Sequence, residues 1–175
     1  MSSDRERLCE IIKGFGTVVL ITRGRASTAG ALGLADWRSG LDARPMALSR
    51  VEPDCQLWFL TAANTRKVRD ICTDPRVHVI GVEGRERCVS LSGTATVIRD
   101  PYMSRELWSD LDRVWFPGGP DDPDLRVIHM RTQTGEYWEA AHLDRIRFVL
   151  ETTKAYLSGH RPTYSDTSEH GEVRL

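Results

Sequence analysis

The chain has 175 residues, 40% hydrophobic and 28% charged, which is the balance of one folded domain with a core of ordinary size. Its formal net charge of −1 provides no general attraction to nucleic acid or to an anionic membrane, so any basic site has to be local. No stretch nears the roughly 18 apolar residues that span a bilayer, and the N-terminus lacks an apolar signal core, so the expectation is a cytoplasmic protein with a small-molecule partner.

Residues 4–13 place Leu8, Ile11 and Ile12 on one helical face, with Asp4 as a candidate cap and Gly14 as a stop. The β-branched run 15–22 predicts a strand buried on both faces. Segments 31–37 and 44–50 read as two strands around Ser39–Gly40, and Pro45, with no N–H to give, belongs at a sheet edge. Residues 55–61 form the next strand. Asn64 or Thr65 then caps a helix running to about Thr73, where Asp74–Pro75 ends it.

Strands follow over 76–82 and 87–99, with Gly93 a bulge or bend in the second. Asp100–Pro101 opens a helix that carries Met103, Leu107, Leu111, Val114 and Trp115 along one face. Residues 115–124 make a rigid proline- and glycine-rich loop, and 125–130 and 136–138 the last strands. Leu143, Ile146, Leu150 and Leu157 suit a closing helix, although Ile146, Phe148 and Leu150 suit a strand as well. Residues 1–160 then form a single domain, and 161–175 a polar, loosely held tail.

Many short strands with few helices predict an α+β fold dominated by sheet, a small barrel with helices at its ends. Cys9, Cys55, Cys72 and Cys88 are scattered singly and read as reduced thiols. His78 falls in a strand and His160 and His170 near the end, so no metal site is expected. Ser90, Ser92 and Thr94 have no companion base, which argues against a hydrolase.

The start of the 65–73 helix carries the most chemistry. Its unpaired backbone N–H groups and positive dipole end, with Thr65, Arg66 and Lys67, form a cradle for a phosphate, whereas Arg66 and Lys67 by themselves would read equally as a solvated surface pair.

Taken in order, ARPMAL at 43–48, LWFLTAANTRKVRDICTDPRVHV at 57–79, VSLSGTATV at 89–97, WFPGGPDDPD at 115–124 and EYW at 136–138 resemble the flavin-binding split-barrel superfamily of pyridoxamine 5′-phosphate oxidase, and within it the general stress protein branch. The resemblance implies a homodimer of six-stranded antiparallel Greek-key-type split barrels that holds FMN, with FAD or a deazaflavin as alternatives, in grooves at the subunit interface. It also implies that Arg44, Arg66 and Lys67 hold the phosphate with Thr65, that Pro45, Met46 and Ala47 line the ring, that Leu60 and Thr61 end the neighbouring strand, and that Trp138 covers the ring.

The implied activity is that of a flavin-dependent oxidoreductase with a small-molecule redox partner, in which no side chain need act as a catalytic acid or base. Two departures argue against vitamin B6 oxidation: Cys88 stands where the oxidases have a glutamine, and the residues after Trp138 do not reproduce their Arg-Leu-His group. A stress-linked flavin carrier or sensor without turnover, or a deazaflavin-dependent reductase, is the alternative.

Overall fold

A computed structural model describes residues 4–24, 40–84, 87–139 and 169–175. In chain order the elements are α1 (Asp4–Lys13), β1 (Thr17–Arg23), β2 (Leu41–Ala47), β3 (Arg50–Val51), β4 (Leu57–Ala62), α2 (Arg66–Thr73), β5 (Arg76–Glu83), β6 (Arg87–Ile98), α3 (Pro101–Leu107), β7 (Leu125–Glu139) and β8 (Glu169–Arg174). The strands form one antiparallel sheet in the order β2-β1-β5-β6-β7-β4-β3, with β8 added to β7. The sheet curls until β2 comes near β4, which makes the split barrel. Eight strands are present among the described residues where six were expected. The two-residue β3 and the C-terminal β8 are among them.

Alternation sets the two faces of the sheet. Val18, Leu20, Val77, Val79, Val89, Leu91, Leu57, Phe59, Ile128 and Met130 are buried on the inner face. Helix α1 closes one end: Leu8, Ile11 and Ile12 are buried there, each worth roughly 1.5–3 kcal/mol on removal from water. The fit is close, since a Cβ on Gly135 of β7 would lie 2.5 Å from Leu8 Cδ2. Helix α2 packs against β1 and β6. Pro45 sits on the edge strand β2 opposite Val19, where its missing N–H costs no ladder bond.

Gly93 lies at a bulge, but the bulged strand is β7 and not its own β6. The register between β6 and β7 shifts at Ser92/Gly93, so that Ser92 faces Thr134 and Gly93 faces Thr132, and Gln133 of β7 is the extra residue. A Cβ on Gly93 would lie 2.1 Å from the Arg131 carbonyl oxygen, an approach only glycine permits.

Several expectations are corrected. Strand β1 is buried on one face only, with Val19 on the other. Residues 125–130 and 136–138 belong to one continuous bulged strand, β7. Helix α3 ends at Leu107, because Ser109 starts a new 3-10 turn (Asp110–Val114) in which Asp112 reaches back to accept from the Ser109 N–H at 2.8 Å and hydroxyl at 2.9 Å. Leu111, Val114 and Trp115 therefore face solvent, at 81%, 77% and 78% exposure, while Leu107 and Phe116 are buried.

The end of the chain is not loose throughout, since residues 169–174 pair in register with β7 and Val173 is buried. Cys9 and Cys55 are joined as a disulfide, not held as separate thiols, with Cα atoms 5.1 Å apart. The predicted strand 31–37 and the element over 143–157 lie outside the described residues.

Candidate functional site

The polar end of the barrel is built from β1, β2 and the start of α2. Leu41–Ala47 alternates so that Asp42, Arg44 and Met46 share the inner face opposite Thr22, Leu20 and Val18, whereas Pro45 and Ala47 fall on the outer face opposite Val19 and Thr17. Strand β4 does the same with Thr61, which is inward and buried, and Leu60, which lies opposite Val127. A turn at Ala63–Thr65 then delivers the chain into α2. Thr65 is the N-cap, but its hydroxyl donates backwards to the Ala62 carbonyl at 3.0 Å and accepts nothing from the helix. The first amides of α2 are thus left without a side-chain cap.

Five charged groups meet here. Arg44 donates to Thr22 Oγ1 at 2.9 Å and to the Asp42 carbonyl at 2.9 Å, and its Nη2 lies 2.9 Å from Asp42 Oδ2 and 3.7 Å from Asp70 Oδ2. Arg66 Nε is 3.2 Å from the same Asp42 oxygen. Asp70, buried on α2, accepts from the Thr22 hydroxyl at 2.9 Å. Lys67 is half-buried and has no ion-pair partner among the described residues; burial first, and then the neighbouring Arg44 charge, push its pKa below the usual 10.5.

Among the described residues three cations thus face two carboxylates, an excess of one positive charge. The Thr61 hydroxyl adds a second unmet demand: it is buried and without a hydrogen-bond partner among the described residues. A half-buried unpaired ammonium and uncapped helix amides, with an orphaned hydroxyl on the same inner face, suit an oxygen-rich anion.

Of the ten residues singled out in the sequence, Arg44, Arg66 and Lys67 come together with the N-cap Thr65, and Met46 and Thr61 lie on the same inner face. Pro45, Ala47 and Leu60 alternate to the outer face. Trp138 is in the far half of β7, opposite Cys88. Cys88 is partly buried, which raises its pKa and keeps it a thiol. Trp58 stacks on His129, with ring centroids 3.9 Å apart. Among the described residues no group of three metal-ligating side chains forms, and no helix is long and apolar enough to cross a membrane.

The sequence reading missed Asp42 and Asp70. The i, i+2 spacing of Asp42 and Arg44 on a strand was the available signal, since it places both on one face.

A family model described as pyridoxamine 5′-phosphate oxidase like matches residues 18–163. The chain belongs to this family. The structure of general stress protein 26 from Bacillus anthracis is 25% identical, with a TM-score of 0.63 over 78% of this chain and 94% of that one. That of the general stress FMN/FAD binding protein from Xanthomonas citri is also 25% identical, with a TM-score of 0.59 over 78% and 89%. Protein bli-3 of Neurospora crassa is 24% identical over 142 residues, 75% of this chain and 68% of its own length. These similarities agree with the superfamily and the general stress branch that the motifs resemble, and the antiparallel curled sheet is the family's split barrel.

Proposed function

We propose that this member of the pyridoxamine 5′-phosphate oxidase-like family is a cytoplasmic flavin-binding protein of oxidoreductase type, acting as a homodimer with FMN as its cofactor. The observation that carries the reading is Lys67: a half-buried ammonium without a carboxylate partner among the described residues, at the uncapped start of α2 and near Arg44. Lys67, Arg66, Arg44 and Thr65 would hold the phosphate. The Thr61 hydroxyl and backbone groups near Met46 would meet polar atoms of the ring. Trp138, on the opposite half of β7, would reach a ring only from a second copy. FAD and a deazaflavin carry phosphate too, and the same cations suit them.

The bound flavin would supply hydride or electron transfer; the protein would supply position and charge. At the polar end Arg44 and Arg66 are tied to Asp42, and Asp70 to Thr22, so among the described residues of this cluster only Lys67 stands without a carboxylate or hydroxyl partner. That arrangement also suits the second reading, a flavin carrier or sensor without turnover. Pyridoxamine phosphate is not the proposed substrate, given Cys88 and the missing Arg-Leu-His group.

The test is a flavin titration of the purified protein followed by fluorescence and by the visible spectrum after desalting. Retained, shifted flavin absorption is expected, with affinity falling at least about tenfold in Arg66→Ala/Lys67→Ala, the loss of more than one charge-assisted contact. Unchanged affinity in a folded double variant would sink the reading. Reduction of the bound flavin by NADH or NADPH then separates the oxidoreductase from the carrier.

A further inference from the structure

Resting on that flavin reading, we infer that Asp42 is a built-in competitor for the ligand's anionic group, and so the residue that sets how strongly the site discriminates phosphorylated from unphosphorylated ligands. A single carboxylate oxygen, Asp42 Oδ2, lies 2.9 Å from Arg44 Nη2 and 3.2 Å from Arg66 Nε. The two arginines come from different elements, β2 and the first residue of α2. Oδ2 therefore occupies the point where these two N–H groups converge, and an anion that engages Arg44 Nη2 and Arg66 Nε together must take its place.

The second carboxylate is placed differently. Asp70 is buried, fixed by the Thr22 hydroxyl, and lies 3.7 Å from Arg44. Asp42 stands on the edge strand with its side chain 32% exposed, so it is the one able to swing into water. Arg66 is also exposed enough to follow a ligand, at 61%, whereas Arg44, at 17%, is held by Thr22 and by the Asp42 carbonyl. The carbonyl contact keeps Arg44 in place when the Asp42 side chain leaves.

The consequence is selective. A terminal phosphate carries about two negative charges at neutral pH and has three acceptor oxygens, so it can displace a single carboxylate. That displacement breaks two existing charge-assisted contacts, which lowers the net gain from binding. A ligand with the same ring and no phosphate leaves Asp42 where it is. Asp42 thus weakens the phosphorylated ligand and leaves the unphosphorylated one alone, while Lys67, without a carboxylate partner among the described residues, gives the phosphate its first contact.

The experiment titrates FMN and riboflavin into the wild type, Asp42→Asn and Asp42→Ser, with circular dichroism melts to show that each variant is folded. Both variants are expected to bind FMN about tenfold more tightly, the scale of one competing charged contact, with riboflavin affinity within about twofold of wild type. FMN affinity equal to or below that of the wild type in both folded variants would overturn the inference, and would make Asp42 a residue that positions the two arginines. If no protein binds either flavin, the proposed function fails by itself. Inorganic phosphate then decides the inference: thermal stabilisation by phosphate greater in the variants than in the wild type upholds it, and an equal response overturns it.

Discussion

The Thr22 hydroxyl donates to Asp70 Oδ2 at 2.9 Å while its oxygen accepts from Arg44 Nη1, also at 2.9 Å. Thr22 and Asp70 are both buried, so this one hydroxyl links a buried carboxylate on α2 to a guanidinium on β2. Replacing it with the isosteric Val leaves Asp70 without its short partner. Thr22→Val should lower stability by about 1–3 kcal/mol, the cost of an unsatisfied buried polar group. Thr22→Ser should recover most of the loss, as read from urea midpoints.

Lys67 gives a pH dependence of definite sign. Its folded pKa lies below the usual 10.5 because burial and Arg44 disfavour the charged form. The unfolded chain therefore keeps its proton to higher pH, so folding is penalised below the folded pKa and the penalty is relieved as pH rises towards the unfolded value. Without ligand, Lys67→Met should be more stable than wild type at neutral pH, and the gain should shrink as the pH approaches 10.5. With FMN present the order should reverse, since the variant loses a phosphate contact. Paired urea titrations at several pH values check both halves.

Gly93 and Gly16 make a matched pair. A Cβ at Gly93 would meet the Arg131 carbonyl at 2.1 Å, whereas one at Gly16 meets nothing within 4 Å. Gly93→Ala should cost about 2–4 kcal/mol, because backbone on both strands must shift. Gly16→Ala should be neutral or stabilising by up to about 1 kcal/mol. Equal thermal shifts for the two would contradict the close approach of β6 to β7.

The Cys9–Cys55 bond ties α1 to the turn before β4 across 46 residues. Loop-closure entropy puts its contribution at about 4 kcal/mol, so reduction should lower the melting temperature clearly. Cys55 also has φ +62°, a backbone conformation that glycine adopts freely, and its carbonyl accepts from Thr132 Oγ1 at 2.6 Å. Under reducing conditions Cys55→Gly should therefore be more stable than Cys55→Ala by about 1 kcal/mol.

Local patterns were legible in the sequence where a single element decided the outcome. The apolar spacing of α1 marked its buried face, Pro45 marked an edge, and Gly93 marked the bulge. The cations at the start of α2 were legible because helix starts have unpaired amides whatever the surrounding fold. The 101–115 segment misled because its apolar spacing is helical, yet Ser109 and Asp112 restart the chain and nothing among the described residues covers Leu111 or Trp115. Asp42 and Asp70 stayed hidden because acidic residues read as solvated surface until β1, β2 and α2 are brought together. The partnership of Cys9 and Cys55 likewise exists only once α1 lies across the barrel end.

Strand β8 takes over where β4 stops. Along the first half of β7 the outer neighbour is β4, and beyond the bulge it is β8, whose successor Leu175 donates its N–H to the Gln133 carbonyl at 2.8 Å. Without residues 169–175, β7 from Thr134 to Glu139 would present a row of unpaired amides and carbonyls, a template on which another chain could add a strand. Residues 169–175 thus cover an edge otherwise open to uncontrolled strand addition, and a version lacking them should form aggregates larger than the proposed dimer at concentrations where the protein with them does not.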